Sequence, residues 1–361
     1  MQSSPKIHVI MPVYNCEKYI ISAVTSILSQ PYKNINILII DDGSKDGSPA
    51  ICDSLSEQHS NINVIHKNNG GVSSARNNGI DYILNVCDIE KDYIAFCDAD
   101  DLWAKNCLSQ DIVNVLDQDI ISFQSCSMSN DTKKCSAPHG AGKSEGVSAG
   151  GIRAIWSFPF HFGAFLYKTH LFKDFCIRFD TALKYNEDKV LLMQLIYLAE
   201  NIRHIPNMLY LYRKNPSSAM HTRPRGINYY IPLIEGWSRS DIAMKDFGNE
   251  QRGVIKVGRV MACIYVVDMA KEHYWDFGKK SDLENAIKQH EVYYDFLNLN
   301  KSDVSDKEYC EYCLFNKKPF VFMLKHYILG IVAGMYKALT SIEFVANYLY
   351  EREFVKDNLY L

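Results

Sequence analysis

The chain is short of charge of either sign: 39 lysines and arginines face 42 aspartates and glutamates across 361 residues. A balance this even provides no global basic field and argues against a nucleic-acid binder, so any anionic ligand must be held locally. Long apolar runs are also missing. No window reaches the roughly 18 uninterrupted apolar residues of a spanning helix. The nearest approach, Pro319 to Leu339, is broken by Lys325, His326 and Lys337, a mixture that suits a helix packed on a domain or lying in a membrane interface. The amino-terminal Met1-Gln2-Ser3-Ser4-Pro5-Lys6 shows no signal-peptide pattern. Cysteines number 11, odd and without paired spacing, which predicts a reducing compartment and thiols used as small core residues. Cys310 and Cys313 form a close pair, but no second pair completes a zinc site. No Gly-x-Gly-x-x-Gly turn follows the first strand-like run, which argues against a nicotinamide dehydrogenase. Ala137 to Ser144 ends in Gly-Lys-Ser as a P-loop does, but Ala137 stands where the first glycine is required.

What the chain does have is a regular alternation of strand and helix patterns in its first hundred residues. Strands are expected at Ile7 to Val13, Ile35 to Ile40, Ile62 to Ile65 and Tyr93 to Cys97. Helices are expected between them, from Glu17 to Ser29, from Ser48-Pro49 to His59, and from Val72 to Leu84, because apolar residues recur there at helical spacing. Successive β-α steps of this kind imply a doubly wound, Rossmann-like α/β domain. A further strand is expected from Asp119 to Ser125, then a polar loop or hairpin insertion from Ser127 to Gly150, then regular structure at Ala164 to Tyr167 and a helix from Glu187 to Ala199. Beyond Arg225 apolar residues appear at helical spacing, as in Val254, Val257, Ile264 and Val267. The expected organisation is therefore an α/β domain over residues 1–225 and a helical carboxy-terminal region over 226–361.

In an open α/β sheet, ligands gather beyond the carboxyl ends of the strands. Here those ends read Met11-Pro12-Val13-Tyr14-Asn15, Asp41-Asp42-Gly43-Ser44 and Asp98-Ala99-Asp100-Asp101. Buried strands seldom end in so much negative charge without a neutralising partner, and a divalent cation held against a phosphorylated ligand would supply it. Each segment alone also reads as an ordinary turn or cap. His66-Lys67-Asn68-Asn69-Gly70-Gly71 adds flexible backbone opening a helix, with Arg76 one turn in, where it could reach a phosphate or a base carbonyl. Glu187-Asp188 opens another helix, where acidic residues either compensate the dipole or act as a general base toward a hydroxyl. Tyr212-Arg213 and Ser217 to Arg223 offer further cationic and imidazole groups. The aromatics of Trp156 to Lys168, with His161, Phe162 and Tyr167, suit a sugar face and a core equally.

Taken together, Pro12-Val13-Tyr14-Asn15, Asp41-Asp42-Gly43-Ser44, Asn69-Gly70-Gly71 with Ala75-Arg76-Asn77-Asn78-Gly79, Asp98-Ala99-Asp100-Asp101 and Glu187-Asp188 resemble the family-two glycosyltransferases with the GT-A fold, over about residues 6–215. The resemblance implies a metal-dependent, inverting hexosyl- or N-acetylhexosaminyl-transferase that uses a nucleotide sugar, favouring a UDP-sugar, on a glycan or lipid-linked acceptor in surface-polysaccharide synthesis. It implies that Pro12, Tyr14 and Asp42 line the base pocket with Asn69 and Arg76 beside it, and that Asp98 contacts the ribose side. Asp100 would bind Mn2+ or Mg2+ with His221 as a further candidate ligand. Asp188 would be the catalytic base, with Glu187 and His161 toward the acceptor. Rival readings are a sugar-nucleotide or glycan-binding module without turnover, and a nucleotidyltransferase, although Pro12-Val13-Tyr14-Asn15 is not that enzyme's glycine-rich loop. The chain is expected in the cytoplasm, with its helical tail either docking peripherally on the inner membrane leaflet or packing in a homo-oligomer.

Overall fold

The structure, a computed structural model, describes residues 4–109, 112, 116–129, 135–136, 146–149, 161–185 and 187–214. The chain divides into two units, Met1–Thr222 and Arg223–Leu361, and every described residue belongs to the first. The helical region expected over 226–361, the Cys310 and Cys313 pair, His221, the P-loop-like Ala137 to Ser144 and the segment from Trp156 to Phe160 lie outside the described residues.

The alternation expected from the first hundred residues is present: β1 (Ile7–Val13), α1 (Ile20–Leu28), β2 (Ile35–Asp41), α2 (Ser48–Gln58), β3 (Ile62–His66), α3 (Val72–Val86) and β4 (Tyr93–Phe96). These strands lie side by side in the order β3-β2-β1-β4, all parallel. Parallel strands covered on both faces are largely apolar, and every residue of β1 is buried, the one histidine, His8, lying 3.2 Å from Asp92 through Nε2. Helix α1 presents Ile20, Ala23, Val24 and Ile27 as one buried stripe. Helix α3 comes close enough to β1 that a Cβ at Gly79 would sit 2.7 Å from Ile10.

Beyond β4 the sheet becomes mixed. It adds β5 (Leu102–Trp103), β6 (Ile120–Ser129), β7 (Gly146–Ala149), β8 (Phe165–Lys168) and β9 (Asn201–Lys214), with helices α4 (Thr169–Asp174) and α5 (Glu187–Leu198). The order continues β4-β8-β6-β9-β5, with β7 also paired to β9. β6 and β9 run parallel, and the other pairs added here are antiparallel. The polar stretch expected to be a loop or hairpin insertion from Ser127 begins by continuing β6, because Met128 and Ser129 pair with Arg213 and Lys214 of β9, and Met128 also bridges Cys135 in the antiparallel sense. The same stretch also supplies β7. Strand β9 itself was not anticipated: Pro206 interrupts it, and the β6 ladder shifts register around Gln124, so no clean alternation survives in the sequence.

An aromatic core closes the sheet on the α4 side. Phe96 lies 4.4 Å, ring centre to centre, from Phe162 and 5.6 Å from Phe179, and Phe162 lies 5.4 Å from Tyr167. Tyr167 is wholly buried and its hydroxyl donates to the Phe162 carbonyl at 2.9 Å. Of the two roles open to these aromatics, Phe162 and Tyr167 take the core.

Candidate active site

Parallel pairing brings the carboxyl ends of β1, β2 and β4 to one edge, with Val13 opposite Asp41 and Ile10 opposite Phe96. A cleft of about 830 Å³ opens there, lined by Pro12, Tyr14, Asp42, Asn69, Asp98 and Asp100 among others. These six residues, singled out from four separate stretches of sequence, thus share one space. Tyr14 is half exposed at the rim.

The two loops beside the cleft are fastened to each other. Asn15, at a positive φ of 54°, takes a hydrogen bond from Lys45 N through its side chain at 2.8 Å, while its own N–H donates to Ser44 Oγ at 3.0 Å. Glu17 accepts from Gly47 N at 2.7 Å. The Asn69-Gly70-Gly71 turn opens α3 with its backbone N–H groups against an anion. Its anion is internal: Gly71 N donates to Asp42 Oδ2 at 2.8 Å, Gly70 N to Asp42 Oδ1 at 3.0 Å, and Lys67 Nζ pairs with the same carboxylate. A buried carboxylate needs such donors, and these backbone groups at the start of α3 satisfy it. Gly43 makes the approach possible, since a Cβ there would lie 2.9 Å from Asn69 N at a φ of +74°.

Arg76 is buried, 5% exposed, and joins two of the other candidates. Its Nη2 donates to Asp98 at 2.7 Å and its Nη1 to Glu187 at 3.0 Å. The guanidinium also lies 5.1 Å from the Phe179 ring centre. Burial opposes its charge, but Asp98, Glu187 and Asp188 together outweigh that and hold it ionised. Burial and then Asp188 push Glu187 up to about 7, with Arg76 pulling the other way. Asp98 keeps 39% of its side chain exposed while bonded to Arg76, so one linkage runs from the cleft to the first turn of α5, where Asp188 stands.

A second network, not foreseen from sequence, holds the acidic turn from behind. Asp101 is 1% exposed, and burial followed by repulsion from Asp100 and Asp98 raises its pKa well above the usual carboxylate range. The Tyr210 hydroxyl donates to Asp101 at 2.7 Å and accepts from Asp98 N at 3.2 Å. Arg213 N donates to the other Asp101 oxygen at 2.7 Å, and Arg213 Nε to the Asp100 carbonyl at 2.7 Å. Its guanidinium lies 5.1 Å from the Tyr19 ring centre. His161 lies against this network, its ring 4.5 Å from that of Tyr210. The Tyr212-Arg213 dipeptide carried part of the signal, but nothing in sequence pairs it with Asp101.

Among the described residues no cluster of three or more His, Cys, Asp or Glu side chains forms a ready metal cage. Asp98 and Asp100 nevertheless line the cleft together. Magnesium-type ions bind through one or two carboxylates completed by substrate phosphates and water, so the pair fits such an ion only in company with a phosphorylated ligand. No helix among the described residues is long and apolar enough to cross a membrane.

A parallel-to-mixed sheet with an acidic turn at its strand ends defines a GT-A fold. The chain belongs to glycosyl transferase family 2, matching that family over residues 8–169. It is 29% identical over 226 residues to the uncharacterized glycosyltransferase EpsJ of Bacillus subtilis, covering 59% of this chain and 62% of that one, less than two thirds of its length. To the glycosyltransferase GlyG of Streptococcus pneumoniae it is 30% identical over 235 residues, covering 61% of this chain and 74% of the relative. In fold it is similar to S. aureus TarS 1-349, solved in complex with UDP-GlcNAc, with a TM-score of 0.54 at 20% identity over 81% of this chain and 88% of that one.

Proposed function

We propose that the chain transfers a sugar from a nucleotide sugar, UDP-linked, to a hydroxyl of a glycan or lipid-linked acceptor in surface-polysaccharide synthesis. The observation that carries this reading is the Asp98–Arg76–Glu187 linkage, which ties the acidic cleft to the helix start bearing Asp188. A binding module without turnover has no use for a base beside its ligand cleft. The nucleotide base lies toward Pro12, Tyr14, Asp42 and Asn69, the ribose toward Asp98 and the diphosphate toward Asp100. The UDP-GlcNAc held by TarS, a protein of the same fold, favours a uridine donor.

Asp188 takes the proton of the acceptor hydroxyl as its oxygen forms a bond to the anomeric carbon. The bond from that carbon to the diphosphate oxygen breaks on the opposite face, and the configuration inverts. Arg76 holds Glu187 and with it the first turn of α5, so Asp188 keeps its position through the displacement. Asp100, with Asp98 beside it, would hold a manganese or magnesium ion, whose charge offsets that of the departing diphosphate. A lipid-linked acceptor would bring the chain to the inner face of the membrane as a peripheral protein.

The test is a screen of UDP- and other nucleotide sugars for hydrolysis and binding with manganese present. Measurable binding and slow hydrolysis of one donor are expected. A chain that binds no nucleotide sugar with or without manganese is not a transferase.

A further inference from the structure

The cleft's charge is lopsided. Lys18 and Lys184 are the cations among its described lining residues, against several carboxylates. Of the nearby cations, Arg76 is paired with Asp98 and Glu187 and Lys67 with Asp42, while Arg213 is turned behind the acidic turn, its Nε on the Asp100 carbonyl. Among the described lining residues, a phosphorylated ligand entering this space therefore meets Asp98 and Asp100 with Lys18 and Lys184 as the cations to offset them.

Lys184 is placed to do so. It forms no ion pair among the described residues, its side chain is exposed, and its contact is with the Tyr185 ring, whose centre is 5.6 Å from Nζ. A cation over an aromatic face is held loosely and keeps its N–H donors for another acceptor. The backbone at this point is anchored, because Leu183 is buried and its N–H donates to the Asp180 carbonyl at 3.2 Å. Three positions further on, α5 opens at Glu187, which Arg76 ties to the cleft. Lys18, the other lining cation, comes just before α1 and next to Tyr19, whose ring faces Arg213.

We propose that Lys184 is a phosphate-binding residue of the cleft, its ammonium donating to a phosphate oxygen. Resting on the transferase reading above, this places the phosphate either in the diphosphate of the donor or on the acceptor. The two sources differ in what loses affinity when the cation is removed.

The experiment compares the full chain with Lys184→Ala and Lys184→Arg by calorimetry against UDP and uridine, with manganese present, and by inhibition of donor hydrolysis with glycerol 3-phosphate. If the donor's diphosphate is the ligand, Lys184→Ala weakens UDP about tenfold, leaves uridine unchanged, and Lys184→Arg restores UDP. If the phosphate belongs to the acceptor, UDP is unchanged and glycerol 3-phosphate loses its inhibition in the alanine variant alone. Equal values for all three probes in Lys184→Ala and the native chain overturn the proposal. A native chain that binds neither UDP nor uridine overturns the transferase reading instead.

Discussion

Arg76 Nη2 lies 2.7 Å from Asp98, and Nη1 of the same guanidinium lies 3.0 Å from Glu187, so residues 89 positions apart are neighbours through one buried side chain. Removing the guanidinium leaves two carboxylates facing each other. Arg76→Met is expected to cost about 3 kcal/mol, the lower end for breaking such a pair because Asp98 is partly solvated. Urea unfolding measures this. Arg76→Lys should lose less, since it keeps the charge and gives up the fork.

The proton-acceptor role separates from donor binding. Asp188→Asn should reduce transfer at least a thousandfold, roughly the scale of losing a general base, while the donor binds as before. Turnover comparable to the native chain would remove Asp188 from that role. Asp100→Ala should do the reverse, abolishing the manganese dependence of donor affinity in calorimetry.

The Tyr210 clamp has two handles. Tyr210→Phe removes the donor to a buried carboxylate and should cost about 1–3 kcal/mol. Gly163 packs directly under the ring, where a methyl group would overlap it. Gly163→Ala should therefore destabilise by about 2 kcal/mol and weaken nucleotide-sugar binding with it. Because both changes act on one contact, the double variant should lose less than the sum.

His66 gives the stability a dependence on pH. Its Nδ1 lies 2.8 Å from Asp41 and its Nε2 2.9 Å from Asp53, and those two carboxylates, Asp41 foremost, raise its pKa above the ordinary 6.5. The folded state therefore binds the proton more tightly than the unfolded one. The contribution is complete below 6.5 and is lost as the pH rises through the higher folded value. Asp41 works in the opposite sense: its pKa is lowered by Ser44 and His66 despite burial, and its contribution fades as the pH falls below the ordinary 3.8. Unfolding curves between pH 6 and 9 should flatten in His66→Gln, and an unchanged slope would assign the dependence elsewhere.

The first half of the fold could be read from sequence because parallel strands buried on both faces leave nearly continuous apolar runs, as Ile35 to Ile40 and Tyr93 to Cys97 do. The second half could be read only in part: the strand from Asp119, the strand at Ala164 to Tyr167 and the helix from Glu187 are present as β6, β8 and α5, whereas β5, β7, β9 and the end of β6 left no such signal. β7 is Gly146-Val147-Ser148-Ala149, four residues whose pairing to β9 is a matter of backbone alone. β6 runs on through Ser127 and Ser129, polar residues that look like the start of a loop or hairpin until its neighbour is known. The site divides the same way. Its carboxylates stand at predictable strand ends, but Asp42's capture of Gly70 and Gly71 and Tyr210's grip on Asp101 depend on which segments meet in space. Residue type alone does not specify such meetings.

The grip of Tyr210 and Arg213 on Asp101 spans 109 and 112 positions of chain. During synthesis, then, the acidic turn emerges from the ribosome long before the strand that completes it. Contacts so distant in sequence form late, after the loop between them has been closed. A nascent chain stopped short of Tyr210 would hold its first four strands yet leave Asp101 without its two donors, so competence to bind is deferred until β9 docks.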